Sequence, residues 1–114
     1  FFFGPAQSGF TATYTYSLDE QSIHLAYILK KAKEQGATRI EASAEAEEKW
    51  INTIIEKARL TATFQENCTP GYYNNEGKVN QTPQNNTYGG GPIEFFSLMK
   101  KWRTKDNLEG LELS

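Results

Sequence analysis

Apolar positions recur at helical spacing in three stretches of the 114-residue chain, with polar or glycine-rich connections between them. In the first, LDEQSIHLAYILKKAKEQ, Leu18, Leu25, Ile28, Leu29 and Ala32 share one broad face, with Ile23, Ala26 and Tyr27 beside it. So wide an apolar arc predicts cover on both sides. Ser17 followed three residues later by Glu20 predicts the helix start, because hydroxyl and carboxylate satisfy each other's neighbouring backbone N–H groups. Gly36 predicts its stop. Residues 38–42 (TRIEA) predict a short extended segment, and Ser43 followed by Glu45, Glu47 and Glu48 predicts a second helix start with anionic residues at the positive dipole end. Trp50, Ile51, Ile54, Ile55 and Ala58 form its packing stripe, and it should fade within residues 60–64, where Thr61 and Thr63 weaken propensity. The third helix spans residues 93–102 on Ile93, Phe96, Met99 and Trp102, and the alternation in LEGLELS predicts a last edge strand.

Two connections are unusual. Phe1-Phe2-Phe3-Gly4-Pro5 reads as the end of a buried strand entering a turn, followed over residues 6–16 by a charge-free stretch that predicts a covered connection. From residue 65 to 92 the chain turns to asparagine, glycine and proline, and no regular element is predicted there. So long a loop is usually functional or disordered, and Tyr72, Tyr73 and Tyr88 argue against plain disorder.

Composition narrows the class. A single valine, Val79, cannot furnish the buried runs of a parallel sheet, so a self-contained doubly wound domain is excluded and the opening strand must find neighbours elsewhere. The chain reads as part of a longer polypeptide. Twelve Lys plus Arg against 14 Asp plus Glu leave a formal charge of −2, with no basic field for nucleic acid or anionic lipid. No apolar run reaches the roughly 18 to 20 residues of a bilayer span, so no membrane partner is predicted. One cysteine, Cys68, excludes an internal disulfide and a multi-cysteine zinc site, and no metal site is predicted. No signal-peptide pattern opens the sequence. A reducing, cytoplasmic setting is the expectation.

Chemistry is sparse. The helix start after the charge-free segment presents unpaired N–H groups to whatever lies before it, which suits an anion or a polarised carbonyl, although an ordinary covered connection is the plainer reading from chemistry alone. His24 has no second ligand at metal spacing and reads as structural; Cys68 has no nearby base to make it a nucleophile. The triplets at Asn67, Asn80 and Asn85 match the glycosylation pattern only as products of Asn and Thr richness. Gly89-Gly90-Gly91 lacks phosphate-loop spacing and predicts a hinge or close backbone packing, while Lys100, Lys101, Arg103 and Lys105 gather at a helix C-terminus, where cations are favoured.

Taken in order, GPAQSGFTATYTYSLDEQ, GATRIEASAEAEEKWINTIIEKA, NCTPGYYNNEGK, YGGGPIEFF and LEGLELS resemble the C-terminal end of Baeyer-Villiger monooxygenases. The loop CTPGYYNNEGK is similar to the subgroup acting on larger cyclic ketones and steroids. The resemblance implies an α/β parent with two dinucleotide-binding domains, of which this fragment is mainly helical, with one N-terminal strand, a long irregular loop and a short C-terminal strand. It implies residues 1–64 as the end of the FAD-binding domain, 65–92 as a cofactor and substrate loop, and 93–114 as a C-terminal helix and tail. Gly9, Phe10, Thr11 and Ala12 fall on the family's substrate-shaping bulge, and Thr13, Tyr14 and Thr15 on backbone that meets the flavin. The position many members fill with a tryptophan against NADP falls at about Cys68, a departure that Tyr72 or Tyr73 would have to make good. The family's catalytic arginine lies upstream, so no catalytic residue is assigned and the fragment alone should be inactive. The implied reaction uses FAD, NADPH and O2 to turn a ketone into an ester or lactone. The alternatives are a flavin N- or S-oxygenating enzyme and a non-enzymatic helical interaction module.

Overall fold

A computed structural model of the chain describes residues 13–78 and 87–114. Within them the order is α1 (Tyr14–Glu34), β1 (Ile40–Ala42), α2 (Ala44–Glu66), α3 (Pro92–Lys105) and β2 (Leu111–Leu113), with a 3-10 helix at Tyr72–Gly77 between α2 and α3. The fragment is mainly helical, as expected; the short extended segment and the last strand pair with each other in one two-stranded antiparallel sheet, a pairing the sequence did not predict, and the opening strand at Phe1–Phe3 lies outside the described residues.

The start of α1 differs from expectation. The helix begins at Tyr14, and the Ser17 N–H donates to the Thr13 carbonyl at 3.3 Å, so Ser17 is a buried helical residue and not the cap. Glu20 is drawn away from any capping role, because its carboxylate lies 3.7 Å from Arg103 and accepts from the Tyr16 hydroxyl at 3.4 Å. The far end follows the sequence. Gly36 adopts φ +72°, its N–H donates to the Lys33 carbonyl, and the Ala37 N–H donates to that of Ala32, a pair of bonds that closes the last turn. Cover on both sides of α1 is not found among the described residues, where Ile23 and Leu29 are about half exposed.

Ser43 caps α2 as the sequence indicates, its hydroxyl accepting from the Ala46 N–H at 3.2 Å, with Glu45 and Glu47 in the first turn. The helix continues two residues past the predicted fade, to Glu66. Its stripe supplies the core. Ile54 is fully buried against Tyr88 and Phe95, with Trp50, Phe96 and Met99 packed around them. Burying an isoleucine this completely contributes roughly 1.5 to 3 kcal/mol.

On α3 the buried residue is Phe95 and not Ile93, which is exposed at the helix's first turn. The helix is set by what precedes it: Tyr88 and Phe95 share one apolar contact, and that turns Ile93 outward. Phe96, Met99 and Trp102 are partly buried as expected. β2 pairs with β1 in the register Ile40↔Leu113, Glu41↔Glu112 and Ala42↔Leu111. Backbone bonds from Thr38 and Arg39 to Ser114, and from Ser43 to Gly110, extend the tie, so residues 110–114 lock the connection between α1 and α2.

The helices α1 and α3 run side by side in the same direction. Contacts follow in order from Tyr16 on Phe96 to Lys31 on Asp106. Both helix N-termini therefore lie at one end of the pair.

Candidate functional site

Thr13, Tyr14 and Thr15 occupy the start of α1 and are exposed, while Gly9, Phe10, Thr11 and Ala12 lie outside the described residues. The helix has no acidic residue in its first turn, so nothing of its own offsets the positive end of the dipole. Two residues on, Tyr16 places its ring edge-on against Phe96 with centroids 5.1 Å apart. From there the rings form a chain: Phe96 to Phe95 at 5.9 Å, and Phe95 to Tyr88 at 5.8 Å. A row of aromatic contacts thus joins the start of α1 to the place where the long loop returns.

At that return the backbone is pressed against α2. A Cβ at Gly89 would sit 2.3 Å from the Lys57 carbonyl oxygen, so Gly89 serves close packing, one of the two readings the triple glycine allowed, whereas Gly91 has open space around it and a φ of +83°. Tyr88 is buried and stacks on Trp50 with centroids 5.6 Å apart and planes 9° from parallel. Its hydroxyl donates to the Glu94 carboxylate, which also meets the Lys57 ammonium at 3.1 Å. Burial first, and the carboxylate second, push the Tyr88 phenol up to about 12. The Tyr88 hydroxyl bond and then Lys57 hold Glu94 below the usual carboxylate range.

The loop's entrance is organised by a residue that sequence reading passed over. Asn74 is buried; its Oδ1 accepts from the Gly71 and Gly77 N–H groups at 2.8 and 3.3 Å, and its Nδ2 donates to the Thr69 carbonyl at 3.1 Å. Asn75, Glu76 and Gly77 follow with φ of 51°, 55° and 81°, a left-handed run that bends the chain back. The expectation of no regular element between 65 and 92 is corrected here, because one side-chain amide satisfies enough backbone groups to hold a short 3-10 segment kinked at Asn74–Glu76. Six asparagines in this stretch hid the one that matters. Cys68 is a free, half-buried thiol at this entrance, beside α2 and the Asn74 turn.

Along α1 and α3 the contacts are polar and aromatic. Arg103 reaches Glu20 at 3.7 Å and lies 3.4 Å from His24 Nδ1, while His24 packs edge-on to Trp102 at 5.0 Å. Burial and then the nearby Arg103 charge lower the His24 pKa, which fits the structural role read from sequence. Tyr27 donates to Asp106, and Lys31 pairs with Asp106 at 2.7 Å. The Lys31 and Tyr27 hydrogen bonds hold Asp106 below its ordinary range. An open depression along α2 lined by Glu45, Glu48, Lys49, Asn52, Thr53 and Glu56 is the solvated face of that helix. Among the described residues no cluster of three or more potential metal ligands occurs, and no helix is long and apolar enough to cross a membrane.

No family profile matches the chain. It is nevertheless homologous to a segment of Baeyer-Villiger monooxygenases and related enzymes. It is 45% identical over 114 residues to neopentalenolactone D synthase of Streptomyces avermitilis, an alignment covering 99% of this chain and 19% of that enzyme. A Baeyer-Villiger monooxygenase of Streptomyces coelicolor is 40% identical over 88% of the chain and 16% of its own length. An FAD-binding monooxygenase of Hypomyces subiculosus is 31% identical over 94% of the chain and 18% of its own length. Among solved structures, the polycyclic ketone monooxygenase of the thermophilic fungus Thermothelomyces thermophila superposes with a TM-score of 0.74 and 27% identity, over 87% of this chain and 16% of that one. The chain spans about a fifth of the length of the curated relatives it matches.

Proposed function

We propose that the chain is one segment of an FAD- and NADPH-dependent monooxygenase that inserts an oxygen atom of O2 into a small-molecule ketone, giving an ester or lactone. The observation that carries the reading is homology over nearly the whole chain to neopentalenolactone D synthase and to enzymes named Baeyer-Villiger monooxygenases. The relative named as FAD-binding supports the flavin. In this reading the parent has two dinucleotide-binding domains, residues 1–64 complete the FAD-binding one, 65–92 form the cofactor and substrate loop, and 93–114 brace it.

The donor set at the start of α1 fits a flavin. Its first turn offers backbone N–H groups, hydroxyls and no anionic side chain, at the positive end of a 21-residue helix. The bound flavin, reduced by NADPH, supplies the oxygen activation. Thr13, Tyr14 and Thr15 would hold the flavin's pyrimidine edge, and the dipole would favour the negative charge that reduction places there. Gly9, Phe10, Thr11 and Ala12 would shape the ketone pocket. The loop beyond Cys68 would cover NADPH and exclude water.

The test is expression of the full-length protein containing this chain, with NADPH consumption and product analysis against cyclic ketones, amines and sulfides. Ketone-dependent lactone formation by a yellow, FAD-loaded enzyme is expected. Oxidation of amines or sulfides without lactone would replace the ketone reading by N- or S-oxygenation. A protein that binds no flavin would end both.

A further inference from the structure

Residues 88–94, where the loop returns to the helices, are built more tightly than the burial of one tyrosine requires. Three groups converge on a single turn of α2. The Tyr88 ring lies 5.9 Å from the Lys57 ammonium, Glu94 pairs with that ammonium at 3.1 Å, and Gly89 has its backbone against the Lys57 carbonyl, where a Cβ would come within 2.3 Å. Gly90 is confined by side chains rather than backbone, a Cβ there meeting the Tyr88 ring at 2.5 Å and the Glu94 carboxylate at 2.7 Å. Apolar contact with Trp50 is non-directional and would tolerate sliding along α2. The carboxylate bridge and the glycine contact would not, because each fixes position at one residue of the helix.

We propose that Tyr88, Gly89 and Glu94 are positioning residues that hold the exit of the 65–92 loop at one place on α2, so that the loop meets NADPH in a single pose. The inference rests on the reading of that loop as the NADPH-facing element. Glu94 acts through Tyr88: it stands in the first turn of α3, and it takes the phenol proton bond and the Lys57 charge together. Gly89 acts by leaving the space through which the backbone reaches α2. None of the three need touch the cofactor.

The test uses the full-length enzyme and two independent readouts. The first is chymotryptic cleavage after Tyr88, which needs the exit to open because that side chain is 2% exposed. Gly89→Ala should raise the cleavage rate about tenfold and Glu94→Ala about threefold, since proteolysis follows the population of the open form. Glu94→Gln, which keeps an acceptor for the phenol but gives up the charge that pairs with Lys57, should fall between wild type and Glu94→Ala. The second readout is steady-state kinetics: Tyr88→Phe and Gly89→Ala should raise KM for NADPH about fivefold, a larger change than any fall in kcat or rise in ketone KM. If Gly89→Ala does not fold, the Glu94 pair still decides the cleavage test and Tyr88→Phe the kinetic one. Wild-type cleavage rates in Gly89→Ala and Glu94→Ala overturn the anchor. Faster cleavage with unchanged NADPH KM establishes the anchor and overturns the cofactor reading of the loop.

Discussion

The two long faces of α3 are held by different physics. Toward α2 the contact is Ile54, Tyr88 and Phe95 with Trp50, Phe96 and Met99 around them, and an ion pair, Lys57 with Glu94, sits at its edge. Toward α1 one ring contact, Tyr16 on Phe96, is followed by a row of keyed pairs, Glu20 with Arg103, His24 with Trp102, and Tyr27 and Lys31 with Asp106. Burial of apolar area supplies strength but little register, whereas hydrogen-bonded and charged pairs supply register and less strength. One helix therefore receives its stability on one side and its alignment beside α1 on the other.

The comparison can be broken from either side. Phe95→Ala removes a 5% exposed ring from the α2 side and should cost about 3 to 5 kcal/mol of unfolding free energy in urea denaturation, at any salt concentration. Arg103→Ala leaves the half-buried Glu20 without its cation, and a cost of roughly 1 to 2 kcal/mol, between the values for exposed and buried pairs, should shrink as salt rises. A salt-independent loss there would mean that packing, and not charge, aligns the two helices. Ser43→Ala touches neither face and should cost about 1 kcal/mol through the lost cap on α2, a control for general weakening.

The smallest expected effect is a pH slope. His24 has its folded pKa lowered, so the unfolded chain binds its proton first as pH falls; the contribution is complete above the ordinary value near 6.5, declines as pH drops through it, and levels off below the folded pKa. Thermal melting of wild type and His24→Gln between pH 8 and pH 5 should show this slope only in the wild type. Glu94 and Asp106, both lowered, add a second decline of the same sign in the carboxylate range, which His24→Gln leaves untouched.

Local signals were legible and long-range ones were not. The Ser43 cap, the Gly36 stop, the extended TRIEA segment and the LEGLELS strand depend on neighbours within a few residues, and each is where the sequence places it. The same rule misplaced the start of α1, because the pattern of Ser17 and Glu20 is a local signal overridden by a partner 83 residues away, Arg103. Ile93 fits a helical stripe as well as Phe95 does, and only the contact with Tyr88 decides between them. Of the candidate site, Thr13, Tyr14, Thr15 and Cys68 are placed and Gly9–Ala12 lie outside the described residues. Their proposed roles came from resemblance to a family, since uncharged backbone against a flavin leaves almost no chemical trace in a sequence. Asn74 was hidden for the opposite reason, being one polar residue among many of its kind.

The chain has two tryptophans, and the fold puts one on each face of α3: Trp50 stacked on Tyr88, and Trp102 against His24 with its indole N–H donating to the Glu109 carbonyl at 2.8 Å. Indole emission responds to solvent and to a neighbouring imidazolium, so the two rings are intrinsic optical probes of separate contacts. With one tryptophan replaced by phenylalanine, the other reports which side of the helix lets go first.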